Sequence, residues 1–230
     1  MEAAPVCLKG PRVTIRPLTR DDLDAIAAWP PSTDPLYKLF DWPAHSLIER
    51  AMWFSHLMHD QTRVYYAVED EVQRLIGRLS LREIQGHDCA RMGIGFGAPF
   101  VGQGYGTEAL GLFLGYYFME LGFERIVLDV AAINERAIRC YERCGFQYVG
   151  SHYQGIGDRE DIAFLERKEY RHLARFFQIS RYRSRMLFYD MALDRSTWLE
   201  WQRGENDCAG TSTHRSARTC RAVGTSAKAR

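Results

Sequence analysis

The sequence predicts an α/β fold, and two segments carry most of this prediction. One is a glycine-rich loop, Gly102 to Gly106, that leads into a run with apolar residues at helical spacing up to Leu121. The other is a β-branched run over residues 125–132, typical of a buried strand, which is followed by a well-capped helix. Strand and helix patterns alternate through the rest of the first 150 residues as well.

The first hundred residues are predicted to supply strands and two helices. In chain order the predicted elements are an edge strand from Val13, a helix from Thr19 or Arg20 toward Trp29, a helix from Leu47 to His59, a strand pair over residues 64–70 and 74–84, and a strand over residues 90–98. Pro30 and Pro31 end the first helix because proline lacks the backbone N–H that a helix needs.

The glycine loop has the properties of a phosphate-binding loop. Gly102, Gly104 and Gly106 let the backbone turn tightly and bring its N–H groups close to a bound anion. Thr107 and Glu108 then open a helix, whose free amides and positive dipole end suit a pyrophosphate. The loop lacks the lysine of a P-loop and the last interval of a Rossmann fingerprint. The glycines alone are equally consistent with an ordinary strand-to-helix turn.

The segment from Asn134 to Phe146 reads as a short helix with a signal at each end. Asn134 is a good N-cap and Gly145 stands where a C′ glycine belongs. Ile138 and Tyr141 share one face of this helix, so Tyr141 also fits a core position.

Together these two segments resemble the signatures of the GCN5-related N-acetyltransferases (GNAT). The family's acetyl-CoA loop, Gln/Arg-x-x-Gly-x-Gly/Ala, matches residues 101–106 except that Val101 occupies the first position. The family's second signature, Asn-x-x-Ala-x-x-x-Tyr-x-x-x-Gly-Phe, matches residues 134–146 without a gap. Spacing and N-terminal pattern look most like the ribosomal-protein alanine and spermidine acetyltransferase branch.

The resemblance implies a fold and an activity. The fold is a mixed central sheet of about six to seven strands with helices on both faces. The activity is acetyl transfer from acetyl-CoA to a primary amine, of a protein N-terminus or a small molecule, by direct attack on the thioester. Acetyl-CoA is then a co-substrate and no metal is expected. An acyl-CoA-binding sensor without transferase activity is the alternative, which Val101 leaves open.

The resemblance also implies a set of ligand contacts. In the family, the pantetheine arm lies where the strands before and after the loop helix splay apart, here residues 92–97 and 126–131. The residues expected to bind acetyl-CoA are Ile94, Phe96, Gly102, Gln103, Gly104, Tyr105, Gly106, Thr107, Asn134 and Tyr141.

Tyr141 is expected to be the general acid and Asp129 the base. A phenol and a thiol have ordinary pKa values of about 10 and about 8.5, close enough for proton transfer within hydrogen-bond reach. Asp129 matches the position of a catalytic glutamate in the N-terminal acetyltransferase branch and would act through a water. A strand aspartate paired with Arg125 or Arg139 is an equally good interpretation. Further base candidates are Glu83 and Asp88.

Charge and cysteine content set further expectations. Residues 1–202 hold 24 basic and 27 acidic residues and are expected to form one domain that does not bind nucleic acid. Residues 203–230 are polar and basic, which predicts a disordered tail. The six cysteines show no zinc spacing, and no signal peptide or membrane span is apparent, so a cytoplasmic protein is expected.

The connection before the final strand, residues 154–184, is longer than is usual in the family. Its apolar residues are roughly at helical spacing and predict an inserted helix, which would serve as a lid, form a homodimer contact, or only pack on the sheet. Arg181, Arg183 and Arg185 alternate and would face one side of a strand, toward an anionic acceptor group or the CoA phosphate.

Overall fold

The computed structural model describes residues 6–42, 45–156, 159–180 and 183–210. Its strands are β1 Leu8–Lys9, β2 Thr14–Pro17, β3 Val64–Glu69, β4 Leu75–Gln85, β5 Cys89–Phe96, β6 Arg125–Ala131, β7 Gln147–Ile156, β8 Phe177–Ile179 and β9 Ser184–Asp194. Its α-helices are α1 Arg20–Ala27, α2 Pro35–Lys38, α3 Leu47–His59, α4 Tyr105–Gly115, α5 Glu135–Arg143 and α6 Arg195–Gly210. The 3-10 helices are Ala98–Phe100, Arg159–Glu166 and Arg171–Phe176, and the π-helix Tyr116–Glu120 continues α4.

One mixed sheet contains all of these strands. Its order is β1-β2-β3-β4-β5-β6-β9-β7, with β8 paired to β9, and every pairing is antiparallel except β5 with β6. The predicted α/β class and mixed sheet are confirmed. The sheet has nine described strands rather than six or seven, because two short strands add to it, β1 beside β2 and β8 beside β9. The prediction that the strand from Val13 lies at the edge is wrong, since β1 pairs outside β2.

Helices cover both faces of the sheet, as predicted. On β3, Tyr66 and Val68 point into a cluster that includes Phe113 of α4. The alternate residues, Tyr65 and Ala67, point into a second cluster on the opposite face, which contains residues of α1 and α3. This alternation follows from the two-residue period of a strand buried on both sides.

A buried ion network joins α1 to the sheet. Thr19 caps α1, and Asp22 completes a capping box. Arg16 of β2 donates to both oxygens of Asp22, at 2.7 and 2.8 Å, and at 2.6 Å to Glu69 of β3. Burial works to raise the pKa of Asp22, but hydrogen bonds from Arg16 and Thr19 hold it below its usual value.

The predicted single inserted helix is wrong. The connection forms two 3-10 helices and the short strand β8. Their apolar side chains build a cluster of their own with Leu36 of α2 and Met186 of β9. The hydroxyl of Tyr170 donates at 2.9 Å to Asp34, the residue that caps α2. The insertion therefore supports α2, because a helix of only four residues is not stable without such contacts.

Two further expectations concern the end of the chain and the arginine row. Helix α6 runs to Gly210, so residues 203–210 are helical, although the sequence predicted a disordered tail from residue 203. Residues 211–230 lie outside the described residues. Arg181 also lies outside them. Arg185 is on β9 opposite Gln178 and is exposed.

Candidate active site

The splay predicted between the two central strands is present. β5 and β6 pair only at Cys89, Ala90 and Arg91, opposite Arg125 to Val127. Beyond this point β5 pairs only with β4 and β6 pairs only with β9, so β5 and β6 diverge. Their edge amides in this stretch face a gap rather than a neighbouring strand.

A cleft of about 580 Å³ opens at the splay. Its walls come from the glycine loop, from α5, from the β5 and β6 ends and from the connection between α1 and α3. Of the residues predicted from the sequence, it is lined by Ile94, Phe96, Gly102, Gly104, Gly106, Thr107, Asp129, Asn134 and Tyr141. Cavities of this size and mixed lining are typical of small-molecule sites.

The glycine loop takes a shape that favours glycine. Gly102 and Gly104 have φ values of 79° and 87°, in the left-handed region that other residues rarely adopt. Gly104 is the N-cap of α4 and offers no side chain, so the first amides of α4 have no side-chain acceptor. The helix begins at Tyr105, two residues before the predicted start at Thr107.

Arg12 fixes the loop against the start of α4. Its guanidinium donates to the carbonyl of Gln103 at 3.1 Å and to the carboxylate of Glu108 at 2.8 Å, and it lies over the Tyr105 ring. The Gln103 amide donates instead to the carbonyl of Pro99 at 2.6 Å. Gln103 and Tyr105, two of the residues expected to bind acetyl-CoA, are not among the residues that line the cleft.

Asn134 and Tyr141 of the second signature both lie on the cleft. The Asn134 side chain caps α5 by accepting from the amide of Ala137 at 3.3 Å. Tyr141 is buried against Phe146, which agrees with a core position, and it also lines the cleft. Among the described residues its hydroxyl has no hydrogen-bond partner. Burial, with the nearby charges of Cys140 and Asp129, raises the pKa of Tyr141 well above its usual value.

Asp129 lies in an ion pair, but with a different arginine from those expected. Its Oδ1 accepts from Arg91 at 3.0 Å rather than from Arg125 or Arg139. Within the described structure its Oδ2 has no hydrogen-bond partner. Glu83 is exposed and binds the other side of Arg91 at 3.0 Å. Asp88 is exposed in a turn, and neither Glu83 nor Asp88 lines the cleft.

Cys140, which was not among the site residues predicted from the sequence, lies next to the glycine loop. The Cys140 sulfur is 3.4 Å from the hydroxyl of Thr107. A hydrogen bond from Cys144, one turn further along, lowers the pKa of Cys140, with help from Thr107 and the charge of Arg143 and against the effect of burial.

Sequence reasoning also missed the charged residues on the cleft walls. They are Asp41, Arg78, Arg136, Arg139 and Arg143. The alternating polar residues of β4, Arg78, Ser80 and Arg82, were a signal that one face of this strand is not simply packed core. Three tryptophans, Trp29, Trp42 and Trp53, pack against the α1–α3 cluster.

The comparison with known proteins agrees with this geometry. The family model for the acetyltransferase (GNAT) domain matches residues 12–147. The chain belongs to the GNAT acetyltransferase family. It is an enzyme, an acetyl-CoA-dependent N-acetyltransferase.

Two bacterial relatives are named for the same activity. A spermidine N(1)-acetyltransferase of Vibrio cholerae is 31% identical over 136 residues, which are 59% of this chain and 79% of the relative. One from Escherichia coli K12 is 29% identical over 139 residues, 60% of this chain and 74% of the relative. The Vibrio cholerae enzyme in complex with CoA and spermine superposes with a TM-score of 0.62 at 26% identity, covering 83% of this chain and 99% of that one.

Two kinds of feature are absent from the described residues. No helix among them is long and apolar enough to cross a membrane. They also contain no group of three His, Cys, Asp or Glu side chains that could hold a metal ion.

Proposed function

We propose that this N-acetyltransferase binds acetyl-CoA across the splay, with the pyrophosphate at the glycine loop and the thioester between Asp129 and Tyr141. The observation that carries this proposal is the single cleft on which the free amides of α4, the parted strands β5 and β6 and the Tyr141 side chain meet. Loop amides would hold the pyrophosphate and so place the distant acetyl group, which lowers the entropic part of the barrier.

The reaction joins the acceptor nitrogen to the acetyl carbon and breaks the carbon–sulfur bond of the thioester. The amine must lose a proton and the departing sulfur must gain one. Tyr141 is assigned to the sulfur, because Tyr141 lines the cleft, a phenol is protonated at neutral pH, and its hydroxyl is not used elsewhere among the described residues. Asp129 is assigned to the amine, through its uncommitted Oδ2 and a water.

Replacement of Tyr141 by phenylalanine tests the acid assignment. We expect Tyr141→Phe to lower kcat by about 10²- to 10⁴-fold, the usual contribution of a general acid, with an unchanged Kd for acetyl-CoA. The readout is free-thiol release from acetyl-CoA with saturating acceptor. Tyr148→Phe is the matched control, because Tyr148 is exposed on β7 and its hydroxyl donates to Glu142 outside the cleft. An unchanged kcat in Tyr141→Phe contradicts the assignment.

The same assay across acceptor classes separates the enzyme from an acyl-CoA sensor. Because the relatives are named for spermidine, polyamines belong in the panel beside aminoglycosides, amino acids and peptides with a free N-terminus. Thiol release with any of these amines supports transfer. Tight acetyl-CoA binding without release from any of them, in the wild type as in Tyr141→Phe, would support the sensor.

Assembly, compartment and domain organisation complete the proposal. A Vibrio cholerae spermidine N-acetyltransferase with a TM-score of 0.58 is described as dodecameric, so we propose that this chain also forms a multimer, with sedimentation velocity as the test. We further propose that residues 1–202 act as one catalytic domain in the cytoplasm, since one sheet takes strands from Leu8 to Asp194.

A further inference from the structure

Arg78 lines the wall of the cleft. It lies on β4 opposite Gly95 of β5, and antiparallel partners point to the same face of a sheet. Its guanidinium carbon is 3.9 Å from the centre of the Trp42 ring, which holds the group flat on one side. A methyl group on Gly95 would meet no atom within 4 Å, so there is open space beside Arg78.

No negative charge in the described structure neutralises Arg78. It has neither an ion pair nor a hydrogen bond among the described residues. Asp41 lines the same wall, but its two carboxylate oxygens accept from the hydroxyl and amide of Ser32 at 2.6 and 2.8 Å. Arg82, four residues along the same face, adds a like charge.

Arg78 is nevertheless charged under physiological conditions. Burial, opposed by Tyr65 and reinforced by the charge of Arg82, lowers its pKa to about 10. Arg78 is half-buried, and a cation partly removed from water without a partner is unfavourable, so proteins normally pair such a charge. An unpaired guanidinium on the wall of a cleft is therefore a candidate for binding an anionic ligand group.

The surroundings of Arg78 separate it from the residues assigned to CoA. Gly102, Gly104 and Gly106 line the cleft at the start of α4, whereas Arg136 of α5 lies over the Tyr37 ring. Arg78 instead stacks on Trp42, the residue that follows Asp41 in the connection between α1 and α3. Ser32, Tyr37 and Phe40 of the same connection complete this wall. A group held by Arg78 would thus belong to the acceptor rather than to CoA.

We propose that the acceptor is a small amine that also carries an anionic group, a carboxylate or a phosphate ester, and that Arg78 binds this group. The planar guanidinium matches either anion through paired hydrogen bonds. A polyamine carries only positive charges and would add them beside a cation that already lacks a partner. This inference rests on the proposed function, and it names the class of acceptor for the same site.

Pairs of amines that differ only in the anion provide the test. Each common amino acid is compared with the amine formed by its decarboxylation, and phosphoethanolamine with ethanolamine, with spermidine and spermine beside them. Thiol release from acetyl-CoA gives kcat/KM for each. In the wild type we expect the anionic member of the preferred pair to be used about 10- to 100-fold better, the usual range for one charged hydrogen-bonding contact.

Variants then assign the preference to Arg78. Arg78→Met keeps the length of the side chain without its charge and should abolish the preference, while Arg78→Lys should retain part of it. Arg63→Met is the matched control, because Arg63 is exposed and pairs with Asp60 on the surface. The Kd for acetyl-CoA should be the same in all four proteins.

Distinct results overturn the inference and the proposed function. Preference for spermidine in the wild type overturns the inference and leaves the proposed function intact. An Arg78→Met variant that keeps the wild-type preference for the anionic amine also overturns the inference, whether or not its affinity for acetyl-CoA has changed. No thiol release with any amine overturns the proposed function, and the acceptor assignment with it. The comparison in the wild type does not depend on the folding of any variant.

Discussion

The same substitution, glycine to alanine, should have opposite effects at two positions seven residues apart. Gly104 caps α4 with φ at +87°, whereas Gly111 lies within the helix and is exposed. We expect Gly104→Ala to destabilise the protein and weaken acetyl-CoA binding. Gly111→Ala should stabilise the protein and leave acetyl-CoA binding unchanged.

The magnitudes follow from the local geometry. An alanine in the left-handed region costs about 1–2 kcal/mol. The new methyl at residue 104 would also lie 3.1 Å from Nη2 of Arg12. Displacing that guanidinium would break the hydrogen bond from its Nη1 to the Gln103 carbonyl, which is worth about 1 kcal/mol. The sum is about 2–3 kcal/mol. A methyl at residue 111 would meet no atom within 4 Å, and alanine is favoured over glycine in a helix by about 1 kcal/mol.

Urea unfolding followed by circular dichroism measures both free energies, and calorimetry measures the Kd for acetyl-CoA. At about 2–4 °C per kcal/mol, the Tm of Gly104→Ala should fall by roughly 4–12 °C and that of Gly111→Ala should rise by a few degrees. Equal stabilities and equal acetyl-CoA affinities in the two variants would refute the reasoning, because they would mean that the conformation of Gly104 is neither strained by alanine nor needed for the ligand.

Two further predictions concern titratable groups. Asp22→Ala should lower the free energy of unfolding by about 3–5 kcal/mol, because it leaves the Arg16 guanidinium with one partner fewer. Hydrogen bonds hold the pKa of Asp22 below its unfolded value, so the stability from this pair is present above pH ~4 and is lost as the pH falls further. If the free energy of unfolding of Asp22→Ala fell with acid as steeply as that of the wild type, this reasoning would be contradicted. The hydrogen bond from Cys144 lowers the pKa of Cys140, so Cys140 should react with iodoacetamide at a lower pH than the exposed Cys7. Bound CoA should protect Cys140 from this reaction, and peptide mapping by mass spectrometry measures both effects. Equal pH profiles for the two thiols would contradict the lowered pKa of Cys140.

Local chemistry determined the elements around the site. Asn134 and Gly145 mark the ends of α5 because capping is a property of a few consecutive residues, and the structure has that helix from Glu135 to Arg143. The glycine loop was predictable for the same reason, since only glycine adopts the φ values of Gly102 and Gly104 without strain. The resemblance between these two segments and the GNAT signatures then led to the fold and the family, which the comparisons confirm.

The spacing of residues within one segment did not predict the structure correctly where contacts with distant segments determine it. The apolar residues of the 154–184 connection fit a helix by period, yet two 3-10 helices form there because their side chains pack on α2 and β9. The partner of Asp129 is Arg91, 38 residues away, since the parallel pairing of β5 and β6 brings the two strands side by side. Neither contact leaves a signal in local sequence.

The sequence by itself was enough to predict a phosphate-binding loop, a second segment that resembles the GNAT signature and a candidate acid at Tyr141, because each prediction depends on residues close together in the chain. Only the tertiary structure decided which charged side chain lies on the cleft wall beside Trp42. Arg78 became significant because β4 places it on the cleft and because, within the described residues, no carboxylate pairs with it. Whether a charge is neutralised depends on which distant segments reach it, and that is a property of the folded chain alone.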